Sequence, residues 1–152
     1  MGPISVRPAQ AGDLLAVLRL HAHDLSADEA PTSATARQQE TWEQMLATEN
    51  LSVYVADDEA AGTVGTATML TMPNLGYDCR PSAFIEAMVV AANHRRRSVG
   101  RLLLKHALAD AEAQGCRKIQ LLTHKRHVDD GAHAFYRSLG FTAEAEGFRR
   151  YL

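Results

Sequence analysis

The chain has 152 residues, 46% of them hydrophobic and 22% charged, and its 16 basic and 18 acidic side chains give a formal charge of −2. That is one domain's worth of sequence, burying roughly 70% of its unfolded surface, without the positive field of a nucleic-acid binder or an apolar run near the about 20 residues of a membrane span. Cys79 and Cys116 lack metal-site spacing and no secretory leader precedes them, so a reduced, cytoplasmic protein is expected.

The first predicted element is a strand over "ISVRPA" (4–9), β-rich and ended by a proline. A helix follows in 11–26, with Leu14, Val17, Leu18 and Leu25 near helical spacing and Asp13 in its first turn. Residues 27–36 have loop composition, and 37–49 read as a second helix with Trp42, Met45 and Leu46 on one side, as core or cleft wall. The runs 51–58 and 62–72 are predicted as a hairpin across the acidic turn between Asp57 and Gly62. After a polar loop (74–82), the nearly continuous apolar run 83–92 is a central strand broken once, by Glu86. The pattern next predicts a helix over 99–114 with Val99, Leu102, Leu103, Ala107 and Leu108 inward and Gly115 as its stop. A strand at 116–124, a short helix at 129–140 and two closing strands in "FTAEAEG" and "FRRYL" complete a single mixed α/β domain without repeats or linkers.

Between the central strand and the long helix lies "NHRRRSVGR" (93–101). A polar turn leading into a helix presents unpaired N–H groups to an anion. Ser98 and Gly100 are small enough to let one approach, and Arg95, Arg96 and Arg97 add charged donors. The alternative is a solvated charge run. The stretch is neither a Walker A loop nor a three-glycine dinucleotide fingerprint.

Read together with "AHAFYRSLGF" (132–141), this stretch resembles the GNAT superfamily of acyl-CoA-dependent N-acetyltransferases. The family's pyrophosphate motif falls on Arg95, Arg96, Arg97, Ser98, Val99 and Gly100, with Arg101 following. Its later motif falls on Asp129, Ala132, Tyr136, Gly140 and Phe141. The resemblance implies one domain over 1–152 with a mostly antiparallel twisted sheet of 6–7 strands and about four helices. The sheet would be splayed where Met88, Val89 and Val90 offer backbone to the pantetheine arm. It implies acetyl-CoA as co-substrate and transfer to a primary amine by direct attack in a ternary complex. Two positions depart from the pattern. Ser98 replaces a glycine, so a positive φ there would be strained, although its hydroxyl could cap the helix. Asp129 stands where the family carries asparagine.

An amine attacks only when neutral, and one with a pKa near 10.4 costs roughly 4.6 kcal/mol to deprotonate at pH 7. Glu86 is the candidate base, which the resemblance supports; the other reading is an ion pair with an arginine. Tyr136 takes the family's position for protonating the thiolate, against a reading as an amphipathic aromatic beside Phe135. The seven histidines show no metal-ligand spacing, so no metal is expected, and His127 and His133 are expected in solvent, the alternative being a place lining the cofactor or acceptor site. The acceptor cleft is expected from residues 21–36, with Asp24, Asp28 and Glu29, and from 74–82, with Asn74, Tyr77, Asp78 and Arg80. The expected acceptor is a small-molecule or peptide amine, with neither nucleic acid nor membrane as partner; a homodimer is left open. The alternative from another class is a non-catalytic acyl-CoA sensor or interaction module.

Overall fold

Five strands lie in sequence order in one sheet in the computed structural model, which describes residues 2–24, 29–123 and 131–152. β1 (Ile4–Pro8), β2 (Leu51–Asp58), β3 (Gly62–Met72) and β4 (Ser82–Val90) pair antiparallel, and β5 (Lys118–Leu121) runs parallel to β4. A parallel neighbour requires a crossover, and α3 (Val99–Ala113) supplies it. The predicted limits of the β2–β3 hairpin coincide with those of the structure. Gly62 turns it at φ +76°, a left-handed value that glycine adopts without a Cβ penalty.

α1 (Leu14–Asp24) and α2 (Ala36–Ala47) cover one face of the sheet, where Leu14, Val17 and Trp42 pack with Val53 and Val55. α2 begins where it does because of a reciprocal cap: Gln38 N–H donates to Thr35 Oγ1 at 3.2 Å, and Thr35 N–H donates to Gln38 Oε1 at 2.9 Å. α3 lies on the other face against Tyr54, Met69, Ala83 and Ile85. It comes close to β3 because Gly65 has no side chain; a Cβ there would stand 2.9 Å from Val99 Cγ1 and 3.1 Å from Leu103 Cδ1. The Arg7 guanidinium clamps three elements, donating to Asp13 at 2.8 and 2.9 Å and to Asp57 at 2.8 Å.

Three expectations need correction. In α3 the row Val99, Leu103, Ala107 and Ala111 is buried together with Leu104, whereas Leu102 and Leu108 are only half-buried. A four-residue row that meets a flat sheet selects one strip of the helix. β5 is shorter than predicted because Cys116 N–H bonds back to Ala111 O at 2.9 Å, finishing the helix rather than starting the strand. The closing strands expected in 141–152 are not formed, which leaves five strands among the described residues rather than six or seven. Past Phe141 every residue of this segment is exposed, so its sparse apolar groups gain no burial by pairing. α4 (Ala132–Arg137) precedes that segment and is closed by Gly140 at φ +86°.

Candidate active site

The three arginines sit between the end of β4 and the first turn of α3. Leu102 N–H is the first to bond back into α3, to Ser98 O at 2.9 Å, so the amides of 98–101 belong to the turn that has no intrahelical acceptor. Arg95, Arg96 and Arg97 are all exposed, and Arg95 Nε donates to Val90 O at 3.2 Å. Ser98 adopts φ +65°, the strained conformation expected for a residue in a glycine's place, and Arg96 adopts φ +62°. The hydroxyl of Ser98 makes no capping bond to the helix, contrary to expectation; a side-chain cap ordinarily sits on extended rather than left-handed backbone. Val99 is buried. Arg101 Nη2 reaches Ser138 Oγ at 3.0 Å, tying α3 to the end of α4. The position a Cβ would take at Gly100 lies 3.3 Å from Phe135 Cζ and 3.8 Å from Val90 Cγ2, so the helix start, β4 and α4 converge there.

β4 changes character halfway. Thr68 pairs with Glu86 and Thr66 with Val89, so Ala87 and Met88 together oppose one residue of β3. Ala87 takes φ +51° in this bulge. Before it, Ile85 faces α3; after it, Met88 and Val90 do, while Val89 turns to the other face and is buried. The β5 ladder stops at the Ile85–Leu121 pair. Among the described residues, no strand then pairs with the β5 side of 86–90, and a backbone edge opens beside the arginine loop.

Tyr136 is half-buried between Phe135 (ring centroids 5.2 Å apart) and Phe141 (6.0 Å), and packs, as Met88 and Val90 do, against the core on the α3 side of the sheet. Ala132 opens α4; Asp129 lies outside the described residues. Glu86 is exposed on the α1/α2 side of the sheet and makes no ion pair among the described residues. The structure therefore groups Tyr136 with the loop on one side of the gap and sets Glu86 on the other. The C-terminal segment passes nearby: a Cβ on Gly147 would meet Leu122 Cδ2 at 2.9 Å. The Arg149 guanidinium is raised by its hydrogen bond to the Tyr151 hydroxyl and, to a lesser degree, by the Glu86 carboxylate.

One anchor has no sequence signal. His94, the last residue before the arginines, is buried with its Nε2 3.4 Å from Asp58 Oδ2 in the β2–β3 hairpin. Asp58 also accepts from the N–H groups of Ala60 (2.8 Å), Gly2 (3.2 Å) and Ala61 (3.2 Å), and these bonds hold its carboxyl below the ordinary range. Such a pair, 36 positions apart, is met only in the folded chain. His133, expected in solvent, is half-buried with Nε2 shielded, whereas His127 lies outside the described residues. Of the acceptor-cleft candidates, Asp28 lies outside the described residues and Glu29 is exposed. Arg80 is committed to Gly115 O at 3.2 Å and Cys116 O at 2.9 Å, and Tyr77 lies under Arg117 at 5.2 Å, so both pin the loop to the far end of α3. A cleft of about 450 Å³ beside Tyr54, His106 and Asp110, and another of about 590 Å³ beside Arg19, His23 and Asn93, include neither Glu86 nor Tyr136.

The model of the acetyltransferase (GNAT) family matches residues 16–141. A protein of Agrobacterium tumefaciens assigned to the acetyltransferases is 37% identical, with 97% of this chain and 99% of that one covered and a TM-score of 0.87. A transcriptional regulator from Bacillus halodurans is 25% identical over 99% and 100% of the two chains, at a TM-score of 0.90. An aminoglycoside acetyltransferase from an uncultured soil metagenomic sample, solved with trehalose, is 25% identical over 98% and 95%, at 0.78.

Proposed function

The chain belongs to the acetyltransferase (GNAT) family, and from that premise we propose that it moves an acetyl group from acetyl-CoA to a primary amine within a ternary complex. The observation that carries this reading is the gap at 86–90, where a bulged strand edge opens beside a helix N-terminus rimmed by three arginines. The residues present fit the donor. The amides of 98–101 and the guanidiniums of Arg95–Arg97 suit a pyrophosphate, and the Met88–Val90 edge suits an amide-bearing arm. Acetyl-CoA, when bound, supplies a thioester carbonyl for the amine nitrogen to attack, with the C–S bond breaking.

In this reading the chain's own groups manage two protons. Glu86, on one side of the gap, takes the proton that the amine must lose, directly or through water. Tyr136, on the other side, hands a proton to the departing thiolate and keeps its ring held between Phe135 and Phe141. Opposite placement suits direct transfer, because the amine can reach the thioester carbonyl from the Glu86 side while the sulfur departs toward Tyr136.

Release of free thiol from acetyl-CoA, followed across a library of amines with mass spectrometry of the products, tests the proposal. Amine-dependent thiol release with a mass gain of one acetyl group is the expected result. Tight acetyl-CoA binding without turnover on any amine would instead favour a non-catalytic acyl-CoA sensor.

A further inference from the structure

We infer that the buried Asp58–His94 contact is a positioning device for the acetyl-CoA site, holding residues 95–98 in their binding geometry before the donor arrives. This rests on the transfer reading above only for the identity of the ligand. Residues 92–98 lead from the end of β4 to α3, and His94 is the one buried residue among them. The last sheet bond before this stretch runs from Ala91 N–H to Val64 O at 2.9 Å, and Val99 is the first buried residue after it. Within it Arg96 (φ +62°) and Ser98 (φ +65°) both hold left-handed backbone. Strained conformations persist only where the surroundings fix them, and the buried fixing point here is the His94 ring.

The Asp58 side of the contact is fixed by its own hairpin. Its Oδ1 accepts from the N–H groups of Gly2 (3.2 Å), Ala60 (2.8 Å) and Ala61 (3.2 Å), which leaves Oδ2 to face His94 Nε2 at 3.4 Å. A carboxylate only accepts, so the ring nitrogen held against it carries a proton. Nε2 has no hydrogen-bond partner elsewhere among the described residues, while Nδ1 meets Asn93 Oδ1 at 2.8 Å. The ring thus ties the start of the arginine loop to the β2–β3 hairpin. A loop fixed in advance binds more tightly than one that must be ordered on contact, in proportion to how often it is already competent. A pair that only stabilised the fold would leave the affinity of the folded chain unchanged.

The test is calorimetry of acetyl-CoA binding to the parent chain, His94→Leu, His94→Gln and Thr35→Ala, with KM and kcat on any amine that is turned over. His94→Leu keeps the bulk but loses the donor, and its acetyl-CoA Kd should rise roughly tenfold. KM for acetyl-CoA should rise with it, while KM for the amine stays at the parental value. The glutamine amide can take the place of Nε2, so His94→Gln should recover most of the affinity. Thr35→Ala destabilises the chain at the distant α2 cap and should bind as the parent does. A parental Kd in His94→Leu, no recovery in His94→Gln, or an equal loss in Thr35→Ala overturns the inference and leaves the transfer reading intact. Should His94→Leu not fold, backbone order parameters of residues 95–98 in the free parent chain decide. Values near about 0.85 are expected, and values below about 0.6 overturn the inference. A parent chain that does not bind acetyl-CoA overturns the transfer reading and this inference with it.

Discussion

Ser98 holds a left-handed backbone (φ +65°) that an L residue occupies at a cost of about 1–2 kcal/mol, and its hydroxyl returns no capping bond. Ser98→Gly is therefore expected to raise the unfolding free energy by about 1 kcal/mol in urea titrations, with acetyl-CoA affinity retained. The two proposed proton carriers separate cleanly. Tyr136→Phe keeps the ring stacked and removes the donor, so turnover should fall while acetyl-CoA binding by calorimetry changes little. Glu86→Gln should lower the rate at neutral pH and recover part of it at high pH, where the amine is already neutral. A variant with the parental rate and pH profile would make Glu86 structural. Both residue types were legible at these positions in the sequence. Their placement on opposite sides of the sheet was not, because it depends on the register of β4 against β3 and on α4 packing on the α3 side, which segments far apart in the chain decide.

At the level of elements, the contact of α3 with β3 depends on the missing side chain of Gly65. Gly65→Ala would place a methyl 2.9 Å from Val99 Cγ1, and the overpacking should cost about 1–3 kcal/mol, read as a lower urea midpoint. Because α3 also carries the first turn beside the arginines, the same variant should weaken acetyl-CoA binding in calorimetry. The existence of α2 and the limits of β2 and β3 followed from periodicity and the turn at Gly62, whereas the Thr35–Gln38 cap sets α2 at Ala36–Ala47 rather than the expected 37–49. The closing strands did not form: the alternation in 141–147 meets no sheet edge that would cover it, and every residue past Phe141 is exposed.

Across the whole molecule, the buried Asp58–His94 contact joins the N-terminal residues, the β2–β3 hairpin and the arginine loop. The Asp58 carboxyl is depressed chiefly by the N–H groups of Ala60 and Gly2, so its stabilisation is complete above the unfolded value of about 3.9 and is lost as pH falls through the lower folded value. Asp58→Asn should be less stable than the parent chain at pH 7, and the difference should shrink in urea titrations taken below about pH 4. Cys116 is buried, which pushes its thiol up, and Cys79 is exposed. One thiol per native chain should therefore react rapidly with a disulfide reagent, and the second only on unfolding. The sequence alone determined the order of elements as far as α4, the hairpin, the stop of α3 at Gly115 and the place of the arginine loop, since each depends on groups within a few residues of one another. The tertiary structure decided the splay of β4 from β5, the sides on which Glu86 and Tyr136 stand, and the Asp58 anchor. Each of these needs register or contact between segments far apart in the chain, and only packing assigns those.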